Sequence, residues 1–245
     1  MSKPLSTLTG LGRLLQRAGL GLAVAGALMA SVVVHAQSPE IAQMRIAVQA
    51  QEPAAATAAA QDLARFVKHH QKVHADGLPK GFPLAIDKVS DLASARLGRG
   101  FAVYTVDPAD IAAADDLSAV ARPTGTWRFV IRAGSRTVGL ATVVQVNGQW
   151  QVVSYGGAQL AEDVESTMRQ HGNADRSNLR FVRVFQARAD FLEVQSPSED
   201  RARLAPLFSA RESLRMPQRA APMEQSEVLP SLRAAVAANL ADAQP

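Results

Sequence analysis

The sequence predicts an α+β domain: an antiparallel sheet with a three-stranded meander curled around a long N-terminal helix, plus a second helix and an extended C-terminal arm. Three observations carry that expectation. The stretch TWRFVIRAGSRTVGLATVVQVNGQWQVVSYGG contains three β-rich runs, 126–133, 136–146 and 149–155, separated by Gly134-Ser135 and Asn147-Gly148. Asn-Gly between alternating apolar runs marks a hairpin, because both residues tolerate the positive φ of a type I′ turn. Before the meander, residues 54–75 are alanine-rich, follow Pro53 and end at Asp76-Gly77, which are the start and stop signals of a helix. After it, GAQLAEDVESTMRQHGN places Leu160, Val164, Met168 and His171 on one helical stripe.

The elements follow in order from the N-terminus. Residues 1–36 have the anatomy of a secretory signal peptide: Lys3, Arg13 and Arg17 form a basic start, Ala18 to Val34 is uncharged, and Val34-His35-Ala36 offers a cleavage site. Cleavage after Ala36 implies a periplasmic or secreted protein with no membrane span afterwards; retention would make the same segment an anchor. No cysteine precedes the cut, so the usual bacterial lipid attachment is excluded. Residues 37–53 read as a flexible leader, 54–197 as one α+β domain, and 198–245 as a C-terminal arm and helix.

Charge argues against a nucleic-acid partner. Removing the three basic residues of the signal from 26 Lys+Arg leaves 23 against 22 Asp+Glu, a nearly neutral mature chain. The arginines between Arg180 and Arg219 are interleaved with acids and read as a solvated mixed surface. The chain has no cysteine, which excludes disulfides and thiol chemistry and leaves stability to a packed core.

Within the domain, GFAVYTV at 100–106 adds a strand, and Pro108 begins a short helical turn. NLRFVRVFQARADFLEVQ returns as one long strand or two short ones. It carries apolar residues on both faces, so it belongs inside the sheet. Beyond it prolines recur; Leu204, Leu207 and Phe208 anchor the arm, and Leu232, Val236 and Leu240 share one face of a last helix.

Chemistry concentrates in the histidines. Leu63, Phe66, Val67, His70 and His74 share a stripe, and two histidines one turn apart can bind one metal ion. With His171 at the end of the second helix they would make a three-ligand zinc site, the basis of a metal-dependent hydrolase. The H-E-x-x-H motif is missing, however, and Gln71 and Lys72 stand where its glutamate would be wanted. The simpler reading is that each histidine ends a helix, where it interacts favourably with free carbonyls and the negative helix end.

The order helix, strand, meander, helix, strand resembles cystatin-like architectures over residues 55–195. Cystatin inhibitors carry a Q-x-V-x-G hairpin tip; here the matching stretch is Val144-Gln145-Val146-Asn147-Gly148, with Val in place of Gln, which argues against thiol-protease inhibition. LGRGFAV has two glycines at a suggestive spacing but leads into a strand, where a phosphate loop would open a helix. G-x-S-x-G and P-loop motifs are absent. The expectation is a non-enzymatic binding or protein-interaction module of the cell envelope, partnered by another envelope protein. A metal-dependent hydrolase and a secreted inhibitor or folding aid are the alternatives.

Overall fold

The computed structural model describes residues 39–242 apart from Asp200, Arg219 and Ala220. The signal segment expected over 1–36 lies outside the described residues. The chain begins with helices α1 (Pro39–Gln49), α2 (Glu52–Val73) and the short α3 (Val89–Leu92), then strand β1 (Ala95–Thr105). Two short helices, α4 (Pro108–Ala113) and α5 (Leu117–Val120), lead into β2 (Arg122–Ala133), β3 (Arg136–Val146) and β4 (Gln149–Gly156). Helix α6 (Ala158–His171), strands β5 (Leu179–Val184), β6 (Ala189–Val194) and β7 (Arg203–Pro206), and helices α7 (Phe208–Ser213) and α8 (Gln225–Asp242) complete it.

All seven strands form one sheet in the order β4-β3-β2-β1-β5-β6-β7. Neighbours are antiparallel except β1 and β5, which run parallel, so the sheet is mixed where the sequence predicts a purely antiparallel one. The direction follows from the order of strands: β1 to β4 alternate, so β4 runs opposite to β1, and α6 carries the chain across the sheet to β5, which runs opposite to β4 and therefore parallel to β1.

Alternation along the strands decides which helix covers which face. On β2, Trp127, Phe129 and Ile131 share the side that faces α2, whereas Val130 faces α6; on β3, Ala141 and Leu140 divide in the same way. Helix α2 sets Ala55, Ala59 and Leu63 on the first face, where Val228, Leu229, Leu232 and Val236 of α8 extend the cover. Helix α6 sets Ala161, Val164 and Met168 on the second, against Phe101, Val103, Phe181 and Leu192. Each large side chain so buried contributes roughly 1.5–3 kcal/mol.

Two other expectations change. The leader expected over 37–53 is helical from Pro39 to Gln49, although Val48 is its one buried residue. The arm expected ahead of the last helix supplies an edge strand and the short α7: β7 pairs along β6 from Phe191↔Pro206 to Val194↔Arg203, while the expected last helix is α8, whose Leu232 and Val236 join the main core. Short apolar clusters separated by prolines hide the strand, because four residues are too few to show a sustained period. NLRFVRVFQARADFLEVQ is two strands, turned at Phe185–Arg188 with Arg188 at φ 51°.

Candidate functional site

The predicted histidines are not brought together. His70 and His74 lie near the end of α2 with rings nearly parallel and 5.3 Å between centroids, and His70 also packs on Phe66 and Phe82. His171 ends α6, on the opposite face of the sheet. Burial, then His69 and His74, lowers the pKa of His70, and burial lowers that of His171. Among the described residues no group of three or more His, Cys, Asp or Glu side chains is placed to hold a metal ion.

The open space of the molecule is elsewhere, where the sheet divides. Along β2, β1 is paired from Ala95↔Ala133 to Thr105↔Arg122, but toward β5 its ladder is limited to Val103↔Phe181 and Tyr104↔Val182. The edge of β1 from Arg99 to Ala102, which makes no ladder pair with β5, borders a cleft of about 460 Å³. Its apolar lining comes from both sides of the sheet: Tyr104 and Trp127 from one, Phe101, Phe181 and Met168 from the other. Helix α1 borders it, with Arg45 Nη2 donating to the Ser177 carbonyl at 2.8 Å.

Local sequence explains the shape of this edge. Gly98-Arg99-Gly100 coincides with a register shift of the β1–β2 ladder, and a Cβ on Gly100 would lie 2.3 Å from the Phe129 ring. A side chain there is excluded by the core, so β1 bulges and Arg99 turns to the cleft. Opposite, residues 173–178 form a loop locked by its own polar groups. Asn173 N donates to Asn178 Oδ1, Ser177 N to Asp175 Oδ1, and Asn178 Nδ2 to the His171 carbonyl. Within it Arg176 is held at φ 61°, uncommon for a residue with a side chain.

Three arginines line the cleft beside Arg45. Arg180 is 4% exposed: its Nε and Nη2 donate to one oxygen of the buried Glu193 at 3.1 and 2.5 Å, Nη2 also donates to the Ser118 carbonyl, and the guanidinium stacks 5.1 Å over Tyr104. Nη1 has no partner. Arg99 donates to the Asp175 carbonyl at 3.4 Å, and Arg176 to the Met168 sulfur at 3.5 Å. Burial and then the charge of Arg99 lower the Arg176 pKa. Burial likewise raises the Tyr104 pKa, opposed by Arg180 and Arg45.

Sequence reasoning passes over these residues. Arg180 opens the arginine run expected to be solvated, and its burial is signalled only by the apolar residues on both sides of it in LRFVRV. Arg99 sits in the glycine pair weighed as a phosphate loop, where the glycines instead mark a bulge. A second polar group, Arg128, Arg183 and Asp190, lies between the strands and α6; burial raises the Asp190 pKa against the pull of Arg183, Ser209 and Arg128. Comparison with protein families, characterised proteins and solved structures finds no match to this chain.

Proposed function

We propose that the chain is an exported, non-enzymatic binding module of the cell envelope, and that its ligand seats in the cleft between β1 and β5. One observation carries the reading: an apolar-floored space opens in the middle of the sheet, beside a length of β1 that makes no ladder pair with β5. Its volume of about 460 Å³ falls within the roughly 300–1,000 Å³ of pockets that take small molecules. Export rests on the signal-like residues 1–36, and among the described residues no helix is long and apolar enough to cross a membrane. Helix α2 lying across β1 to β4 supports the cystatin-like reading of that half.

The expected envelope protein partner has a separate place available. β4 ends the sheet, and Val153 on it and Val146 across the hairpin are exposed, the features used when a strand is added at an edge.

Native mass spectrometry on the chain released from the envelope fraction tests the reading. A small-molecule adduct is expected, lost on unfolding and absent from Ala102→Phe, which fills the cleft. An adduct undiminished in Ala102→Phe would place the binding site elsewhere. N-terminal sequencing of the same material is expected to begin at Gln37; an intact start in the membrane fraction would establish an anchor.

A further inference from the structure

We infer that the ligand of the β1–β5 cleft is an organic anion, with a carboxylate or phosphate group held by Arg180, Arg99 and Arg176 and an apolar body lying on Tyr104, Trp127 and Phe101. The inference rests on the cleft being a binding site and adds the chemistry of what enters it.

Arg180 supplies the first argument. A guanidinium has five donors in a planar fork, and a buried donor left without an acceptor costs about 1–3 kcal/mol. Glu193 and the Ser118 carbonyl take Nε and Nη2, while Nη1 of this buried side chain remains without a partner in a residue that lines the cleft. Nη1 itself has almost no exposed surface, so an oxyanion entering the cleft becomes its partner once the wall beside Arg180 shifts to admit it. Glu193 cannot also serve, because it is held on the other edge of the fork. The bonds to Glu193 and Ser118 hold the guanidinium, with its Cζ 5.1 Å from the centre of the Tyr104 ring, so the donor is already oriented when a ligand arrives.

The mouth of the cleft supplies the second. Arg99 and Arg176 bond to a carbonyl and a thioether, neither of which neutralises a charge, and no carboxylate of the described residues lies within ion-pair distance of them. Arg99 is close enough to disfavour the charge of Arg176, after burial and against the pull of Glu165. Such crowding is relieved by an anion placed between them. The cleft also holds carboxylates: Glu52, hydrogen-bonded by Gln49, on the α1–α2 side, and Asp175, turned into its own loop by Ser177. Both are engaged within the protein. The positive φ at Arg176, enforced by the Asn173–Asn178 bonds, is a conformational cost maintained where the side chain meets the cleft.

Isothermal titration of the mature chain with four probes tests the inference: benzoate, phenyl phosphate, neutral benzamide and inorganic phosphate. Benzoate or phenyl phosphate is expected to bind saturably and to move the Trp127 indole N–H resonance. Benzamide and inorganic phosphate, each lacking one half of the ligand, should bind at least tenfold more weakly. The preferred member of the first pair separates a carboxylate source from a phosphate source. Arg99→Gln and Arg176→Gln lie on exposed or half-buried positions and should fold; each is expected to weaken the bound anion several-fold, whatever becomes of Arg180→Gln. Benzamide binding as tightly as benzoate would overturn the anion inference and leave the cleft reading standing. No binding by any probe would overturn the inference as well, while a native adduct lost in Ala102→Phe would still support the binding site.

Discussion

The two parts of the sheet are held together by different means. From β1 to β4 the strands pair antiparallel over nearly their whole lengths and the α2 face is apolar, with Ala55, Ala59 and Leu63 against Trp127, Phe129, Ile131, Val138 and Ala141. The ion pair of this part, buried Glu165 with Arg132, stands on the α6 face. From β5 to β7 the strands are shorter, and charged residues enter the core: Arg180 with Glu193, Asp190 with Arg183, and Arg211 with Asp163. The two parts meet through the short parallel ladder of β1 and β5. The difference teaches where a site can form. A sheet paired throughout has no spare edge, whereas a junction of two differently packed parts leaves backbone and arginines facing open space.

Breaking the polar part is expected to have the largest effect. Glu193→Ala strands Arg180 as a buried unpaired charge and should cost about 3–5 kcal/mol in urea unfolding. The double replacement Arg180→Met with Glu193→Leu should recover most of that loss, because buried pairs repay little beyond their own desolvation. If the double variant is as unstable as the single one, the pair holds more of the fold than its charges alone explain.

The apolar part should respond to shape and turn geometry instead. Gly100→Ala would press a methyl group into the Phe129 ring and is expected to cost about 1–3 kcal/mol. A smaller loss, roughly 1 kcal/mol, is expected for Gly148→Val, which forces a branched residue to φ 78° in the β3–β4 hairpin while leaving open space around it. Equal urea midpoints for Gly148→Val and the parent would show that the turn adapts.

The contrast was only half visible in the sequence. The runs 136–146 and 149–155 anticipate β3 and β4 within one residue because period-two alternation and Asn147-Gly148 are local signals. Helix α2 likewise falls within two residues of its expected limits. The polar part is illegible for a physical reason: whether Arg180 is solvated or buried depends on Glu193 across a hairpin and Ser118 far upstream, which no local period records. The cleft is harder still, since it exists only because β5 pairs with the far end of β1. The histidines misdirect for the complementary reason. Helical spacing places His70 beside His74, but strand alternation puts His171 behind the sheet.

Acidification should have a modest effect, centred on those histidines. Both His70 and His171 have pKa values lowered on folding, so below the ordinary value of about 6.5 the unfolded chain takes up protons first, and stability falls as pH drops toward the folded-state values. Melting temperature measured from pH 7.5 to 5 should decline, and His70→Gln with His171→Gln should flatten the part of the slope that begins near 6.5. The smallest effect is expected from metal: chelation should leave the melting temperature unchanged. One bound equivalent of zinc whose removal lowers it would restore the metal-site alternative.

Ala102→Phe tests the open junction most directly. Ala102 borders the cleft from β1, and in a closed core an added phenyl ring typically costs about 1–3 kcal/mol through overpacking. Equilibrium unfolding and benzoate titration on the same sample should show stability within about 0.5 kcal/mol of the parent, the range of a substitution that displaces no packing, together with loss of binding. A strongly destabilised variant that still binds benzoate would mean that the space between β1 and β5 is packed shut and that the ligand goes elsewhere.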